Sequence, residues 1–336
     1  MAERWTPADI PDLTGRTAIV TGANKNLGFH TALELARHGA DVTLACRRRE
    51  RGERAAAEIR RRAPDASVRP GLLDLADLSS VERFAEEYAA VHAGLDILIN
   101  NAGVLGIPRL LTADGHEMQF GVNYLGHFAL TGRLLPLLKA RPGARVVSLS
   151  TWVVKMMGKI DLDDLQGERS YDKFNAYNQA KLANLVFARE LSRRYAGHGP
   201  AGVAAHPGFA ASDLQYTGPR MEGSRFQEAF FRIPTRLFAK PTEMGAWPSL
   251  YAACAPGVEP GACYAPTGFG EIWGPIGRVK TPAKVTDPEL GRRLWDVSER
   301  LAGVSYEAAA LDGPVPETAV PETAVPETAV PETKEG

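Results

Sequence analysis

A tyrosine and a lysine four residues apart, Tyr177 and Lys181, are the side chains best placed in this sequence to do chemistry together. A helix puts residues at that spacing on one face. A free tyrosine titrates near pH ~10, and a nearby ammonium group lowers that pKa by favouring the phenolate. The pair therefore predicts acid–base catalysis at an oxygen atom. Because the spacing is common on ordinary helix surfaces, this interpretation depends on the motifs that accompany it.

A glycine-rich turn follows the first predicted strand and has the sequence Thr21-Gly22-Ala23-Asn24-Lys25-Asn26-Leu27-Gly28. Such a turn lets backbone N–H groups and a helix N-terminus approach a pyrophosphate. Asn26 stands where a further glycine is expected, and asparagine tolerates left-handed backbone angles better than most residues. An ordinary tight turn is the alternative. The predicted phosphate-binding residues are Gly22, Lys25, Asn26, Leu27 and Gly28.

The end of the second predicted strand, Leu44-Ala45-Cys46-Arg47, bears on the choice of dinucleotide. Proteins of this type that bind NAD usually have Asp or Glu there, which binds the ribose hydroxyls. Arg47 instead offers a planar group that binds a 2′-phosphate, and Lys25 adds a second positive charge. The sequence therefore predicts NADP(H). The alternative is that both are solvated surface residues, since Arg47 opens a run of arginines.

Short apolar runs alternate along the chain with segments of helical period. The pattern predicts an α/β fold, a doubly wound parallel sheet (Rossmann fold) of six or seven strands, with ligands beyond the carboxyl ends of the strands. Predicted strands cover residues 17–21, 41–46, 68–73, 95–100, 145–150 and 202–206. Predicted helices cover residues 27–38, 50–62, 78–91, 176–195 and a long stretch within 114–138.

The predicted organisation is a single domain over residues 14–305, after an N-terminal extension of residues 1–13. Residues 306–336 form a predicted disordered tail, because a Val-Pro-Glu-Thr-Ala repeat excludes a regular helix and cannot bury a core. Residues 210–280 or so are rich in Pro and Gly. They are predicted to form a substrate lid, and irregular packing of helices is the equal alternative.

Bulk composition excludes several classes of protein. The net charge of −1 gives no electrostatic reason to expect nucleic acid or an anionic membrane as a partner. No apolar run approaches the ~20 residues that cross a bilayer. Three widely spaced cysteines indicate buried thiols in a reducing compartment, so a cytoplasmic location is expected. No metal site is predicted.

Six motifs in order give the chain its resemblance to the short-chain dehydrogenase/reductase family. Within the family it resembles the branch of retinol dehydrogenases and protochlorophyllide reductases, and the segments Gly158–Glu168 and Lys181-Leu182-Ala183-Asn184 are similar to those of retinol dehydrogenases. The resemblance runs from about residue 12 to residue 303. Its motifs are the glycine-rich turn, Asp74-Leu75, Asn100-Asn101-Ala102-Gly103, Val122-Asn123-Tyr124-Leu125-Gly126-His127-Phe128, the Tyr177 and Lys181 pair, and His206-Pro207-Gly208.

The resemblance implies a role for each matching residue. Tyr177 would be the general acid in ketone reduction, and Lys181 would bind the nicotinamide ribose and lower the tyrosine pKa. Asn123 would hold a water that links Lys181 to solvent. The remaining cofactor contacts would be Asp74 and Leu75 at the adenine, Asn101, Ala102 and Gly103 along the dinucleotide, and Pro207, Gly208 and Ser212 at the carboxamide.

One departure from the family concerns the hydroxyl that orients the substrate oxygen. Thr151 stands where relatives have a serine, and Ser150 is the alternative if the alignment shifts by one residue. Threonine keeps the hydrogen-bond donor, while its methyl group narrows the pocket. An apolar substrate wall or ordinary core is predicted for the residues that follow, Trp152, Val153, Val154, Met156 and Met157.

Three functions are consistent with these residues. The first is an NADP(H)-dependent reductase or dehydrogenase of a bulky apolar ketone, aldehyde or secondary alcohol. The second is reduction of a carbon–carbon double bond, although no cysteine follows the Thr151 strand or the Tyr177 helix. The third is an NADP(H)-binding sensor or scaffold without turnover. The resemblance also implies either a homodimer through the long helices within 114–138 and 176–195, as in many relatives, or a monomer, as in others of this branch.

Overall fold

Residues 4–210, 214, 218, 221–223 and 239–306 are described by the computed structural model. The predicted tail beyond Tyr306, residues 224–238 of the predicted lid, and Ser212 lie outside these residues.

An eight-stranded sheet forms the centre of the fold and confirms the doubly wound Rossmann architecture. Its strand order is β3-β2-β1-β4-β5-β6-β7-β8, parallel except for the last pair. The strands are β1 (Thr17–Thr21), β2 (Asp41–Cys46), β3 (Val68–Leu72), β4 (Ile97–Asn100), β5 (Arg145–Leu149), β6 (Ala201–Ala205), β7 (Cys263–Pro266) and β8 (Ile276–Val279). The six predicted strands are present to within about two residues at each end. The expected total of six or seven is too low, because β7 and β8 are four-residue strands within a Pro- and Gly-rich segment.

Helices cover both faces of the sheet. Alternate residues of one strand pack into different layers, as Ile19 and Val20 do, and this explains the continuous apolar runs. The helices are α1 (Asn26–Arg37), α2 (Arg49–Arg62), α3 (Leu78–Ala89), α4 (Met118–Phe120), α5 (Gly126–Arg133), α6 (Leu135–Lys139), α7 (Val154–Met157), α8 (Lys173–Arg194), α9 (Thr242–Cys254) and α10 (Pro288–Ala302).

The long helical stretch predicted within 114–138 is present from Met118 onward, but it is not one regular α-helix. A π-helical turn, Gly121–Leu125, separates α4 from α5, and α6 is a separate short helix with Pro136 in its first turn. A π-turn frees a backbone group from the regular ladder. Here the Asn123 carbonyl accepts a hydrogen bond from Asn184 Nδ2 at 3.0 Å, so the break joins this segment to α8.

Three further expectations concern the described residues. Cys46, Cys254 and Cys263 are buried and unpaired, as expected. None of the helices in the described ranges has both the length and the apolar character needed to cross a bilayer. Among the same residues, no group of three or more His, Cys, Asp or Glu side chains is arranged to hold a metal ion.

Candidate active site

A cavity of about 1020 Å³ opens at the carboxyl ends of the parallel strands. This is the position expected for a ligand in a doubly wound sheet. Every predicted site residue lines it except Asn123, which is buried behind it, and Ser212, which lies outside the described residues. The lining residues are Gly22, Lys25, Asn26, Leu27, Gly28, Arg47, Asp74, Leu75, Asn101, Ala102, Gly103, Thr151, Tyr177, Lys181, Pro207 and Gly208.

The turn after β1 has the backbone geometry that its residue types predict. Gly22 has a φ of 67° and Asn26 a φ of 50°, so asparagine occupies the left-handed region as expected. A Cβ added at Gly28 would lie 2.6 Å from the Gly22 carbonyl oxygen and from Asn101 Nδ2. Glycine therefore lets the start of α1 pack closely against the turn.

Thr21 fastens the turn to the segment after β4. Its hydroxyl oxygen accepts hydrogen bonds from the backbone N–H groups of Asn101 and Ala102, each at 2.9 Å. The same oxygen lies 2.9 Å from Nε2 of His127. Burial lowers the pKa of His127 to about 3, so this ring is neutral at neutral pH. The network holds two cavity-lining segments in fixed register.

The cavity is basic beside the carboxyl end of β2. Arg47 and Lys25 line it as predicted, and Arg48 and Arg51 line it as well. The last two were missed because the arginine run was interpreted as a solvated face of α2. In the sequence, Arg48 and Arg51 differ from the arginines farther along α2 only in lying just after β2.

Tyr177 and Lys181 lie together on one face of α8, as their spacing predicts. The helix begins after Asp172, whose carboxylate accepts from the N–H groups of Phe174 at 3.0 Å and Asn175 at 2.8 Å. Lys181 Nζ lies 5.9 Å from the centre of the Tyr177 ring and donates to the Leu149 carbonyl at 2.9 Å. The end of β5 therefore fixes the ammonium group beside the phenol.

The pKa of Tyr177 differs from expectation. Burial raises the pKa of Tyr177 above its ordinary value, whereas the sequence predicts a lowered one. Burial also lowers the pKa of Lys181 to about 8. Desolvation penalises the charged form of each group. Tyr177 is therefore protonated at neutral pH and able to donate a proton to a carbonyl oxygen.

Asn123 holds the lining segment rather than lining the cavity itself. Its Oδ1 accepts from the Val104 N–H at 2.7 Å, and its Nδ2 donates to the Val104 carbonyl at 2.9 Å. A Cβ at Gly103 would lie 2.9 Å from Asn123 Oδ1 and 3.7 Å from Lys181 Nζ. Asn123 thus sets the backbone next to the lysine, and its predicted water bridge stays a prediction.

The contacts favour Thr151 over Ser150 as the substrate-facing hydroxyl. Ser150 is buried, and its hydroxyl donates to the backbone carbonyl of Lys181 at 2.8 Å. Both residues line the cavity, but Thr151 is half-buried and more accessible. Ser150 is therefore engaged in joining β5 to α8.

The predicted apolar wall is present in part. Trp152, Val153 and Met157 line the cavity, Val154 is in the core, and Met156 is 72% exposed. Sequence reasoning missed Asn178, which lines the cavity beside Tyr177 and has a buried side-chain oxygen without a hydrogen-bond partner. It also missed apolar lining from elsewhere in the chain, namely Val104, Leu105, Met118, Val122, Phe174 and Leu214.

A nicotinamide dinucleotide fits this arrangement. Added side chains at Gly22, Gly28 and Gly103 would meet neighbouring protein atoms within 3.1 Å, so glycine at these positions allows the segments that line one wall to pack closely. The basic groups follow β2, and the Tyr177 and Lys181 pair lies at the end of β5, which is separated from β2 by β1 and β4 in the sheet.

Comparisons with known proteins agree with this geometry. The family model described as short chain dehydrogenase matches residues 16–222. Human retinol dehydrogenase 13 is 43% identical over 92% of this chain and 90% of its own length, and mouse retinol dehydrogenase 12 is 40% identical over 90% of each. A solved structure of an uncharacterized protein from Mycobacterium paratuberculosis is 37% identical with a TM-score of 0.74, covering 90% of this chain and 99% of that one.

Proposed function

The chain belongs to the short-chain dehydrogenase family, and we propose that it is an NADP(H)-dependent oxidoreductase acting on a bulky apolar ketone, aldehyde or secondary alcohol. The observation that carries this proposal is one continuous cavity. It joins the acid–base pair, Tyr177 and Lys181, to the basic end at Arg47 through glycine-lined backbone.

The chain's own residues supply the proton and the orientation. The dinucleotide, when bound, supplies or accepts hydride. Tyr177, protonated at neutral pH, donates its proton to the substrate oxygen during reduction. The Thr151 hydroxyl donates a second hydrogen bond to that oxygen. Lys181, fixed by the Leu149 carbonyl, places its ammonium group beside the phenol and the predicted ribose position.

The substrate class follows from the walls around Tyr177. Trp152, Val153 and Met157 contribute apolar surface, and Phe174 and Leu105 face the same cavity. The most similar curated proteins include several named retinol dehydrogenases. These observations support long apolar aldehydes and alcohols, and retinal is the first substrate to test.

Three buried, unpaired cysteines support a reducing, cytoplasmic location as a further proposal. Burial raises the pKa of Cys46 to about 11, so its thiol stays protonated and unreactive at neutral pH.

Charge reversal at Arg47 tests both the reaction and the coenzyme. Wild type is expected to reduce retinal or a bulky aryl ketone with NADPH, and more slowly with NADH. Arg47→Asp is expected to lower the NADPH/NADH ratio of kcat/KM by roughly 10- to 100-fold, the loss of one charge-assisted contact. The measurement is steady-state oxidation of each coenzyme.

Arg49→Asp is the matched control, because Arg49 is exposed and does not line the cavity. It should leave the ratio within about twofold, as surface changes usually do. An unchanged ratio in Arg47→Asp contradicts the NADP(H) assignment. Tight NADPH binding without turnover on any carbonyl contradicts the enzyme and favours a sensor.

Two substitutions at Thr151 test the orienting hydroxyl. Thr151→Ser keeps the donor and should retain most activity, while Thr151→Val keeps the shape and should lower kcat/KM by about 10²-fold. Ser150→Ala is the control: it should cost about 1 kcal/mol of stability with little effect on kcat, because Ser150 bonds only the α8 backbone. A larger kcat loss in Ser150→Ala than in Thr151→Val would reverse the assignment.

A further inference from the structure

Glu271 joins two distant segments at the active-site cavity. It ends a short 3-10 turn, Phe269–Glu271, and has a φ of 56°, which is unfavourable for a residue other than glycine. One carboxylate oxygen lies 2.8 Å from His206 Nε2, and the other accepts from Lys155 Nζ. Despite partial burial, these two partners hold the pKa of Glu271 below its ordinary value, so it is charged.

The protonation of His206 can be deduced from its partners. The Gly208 N–H donates to His206 Nδ1 at 3.2 Å, so that nitrogen is an acceptor. Burial lowers the pKa of His206, and the neutral ring therefore carries its proton on Nε2, which donates to Glu271. Lys155 and Lys240 are the cations near the ring, and Glu271 is its anion. The carboxylate thus holds the orientation of His206.

The first of the two segments that Glu271 joins is the loop predicted to contact the nicotinamide. Pro207 and Gly208, next to His206, line the cavity. Gly208 has a φ of 69°, and a Cβ there would lie 2.8 Å from the Glu271 carbonyl oxygen and 2.7 Å from that of Ile272. The loop at Gly208 and the turn at Glu271 are therefore in direct backbone contact.

The other end is the substrate wall. Lys155 lies in α7, a four-residue helix that follows the cavity residues Trp152 and Val153 and ends at the cavity residue Met157. A helix of four residues is not stable without tertiary contacts. Val154 supplies one such contact by burial in the core, and the Lys155 ion pair with Glu271 supplies another.

We propose that Glu271 is a positioning residue that couples dinucleotide binding to ordering of the substrate wall. Contact of the dinucleotide with Pro207 and Gly208 fixes His206, whose ring fixes Glu271, and the carboxylate then fixes Lys155 and α7. The proposal rests on the proposed function, because it takes the cavity to be a dinucleotide site.

Hydrogen exchange with and without NADP⁺ tests the coupling in the full chain. In wild type, NADP⁺ is expected to slow exchange about tenfold both at residues 206–210 and at residues 152–158. In Glu271→Gln the slowing of exchange should persist at residues 206–210 and fall below about twofold at residues 152–158. The amide has one acceptor oxygen where the carboxylate has two, so it presents its NH₂ group to one of the two donors, His206 or Lys155, and that contact is lost. Lys155→Met should give the same pattern while leaving the His206 contact intact.

Glu259→Gln is the matched control, because Glu259 pairs with Arg278 at 2.8 Å on the exposed surface nearby. It should behave as wild type. Slowing at both segments in Glu271→Gln and Lys155→Met overturns the coupling and leaves the proposed function standing. Absence of slowing at 206–210 in wild type overturns the proposed function, and this inference with it.

Discussion

Tyr177→Phe is expected to lower kcat for carbonyl reduction by about 10³-fold, within the usual range for loss of a general acid. The substitution keeps the buried ring and removes only the hydroxyl. Burial keeps the phenol of Tyr177 protonated, so its hydroxyl is the proton donor in the wild-type protein. Phenylalanine has no proton to donate at this position. NADPH affinity should change by less than about threefold, as the ring and Lys181 remain.

The measurement is single-turnover NADPH oxidation together with NADPH binding by fluorescence. Tyr306→Phe is the control, since its hydroxyl donates to the Phe128 carbonyl at 2.7 Å in the core and does not line the cavity. That control should lose about 1 kcal/mol of stability and keep kcat. Turnover near the wild-type rate in Tyr177→Phe would remove tyrosine from the mechanism.

Lys181→Met is expected to abolish activity and to stabilise the fold. A lysine pKa of about 8, against an ordinary value of 10.5, means that the native state binds this proton less tightly than the unfolded chain does. At pH 7 the buried charge opposes folding by an amount on the order of 3 kcal/mol. Methionine removes that cost. The Leu149 carbonyl stays paired, because Asn184 Nδ2 also donates to it at 2.9 Å.

The stability advantage of Lys181→Met over wild type should decrease as the pH rises. Below about pH 8 the lysine is charged in both states, and the advantage of Lys181→Met is full. Between about pH 8 and 10.5 the native lysine is neutral while the unfolded one is still protonated, so wild type gains stability and the advantage shrinks. Urea unfolding at pH 7 and pH 9.5, without dinucleotide, measures it. A variant less stable than wild type at pH 7 would contradict the argument.

Local sequence patterns predicted the parts of the site that local geometry determines. The i,i+4 spacing of Tyr177 and Lys181 is a property of one helix, and both residues do line the cavity. The left-handed φ of Asn26 followed from the turn and from the residue type. Strands β1, β2, β4, β5 and β6 were recognised because each is a largely apolar run between turn residues.

Tertiary context determined what the sequence did not reveal. The raised pKa of Tyr177 depends on burial by residues far along the chain, which spacing alone does not report. The π-turn at Asn123 has no signature in helical period, because its residues are as apolar as those of a regular helix. Glu271 lies far from both His206 and Lys155 in sequence, so its two contacts leave no local pattern.

The two outermost strands bear on how this protein resists aggregation. β3 contains Pro70, which has no N–H to offer, and Gly71 follows it. β8, at the opposite side, is only four residues long and runs against its neighbour. A strand from a second molecule therefore meets an interrupted row of hydrogen-bonding groups at β3 and only a short row at β8. Growth of the sheet from molecule to molecule is disfavoured at both ends.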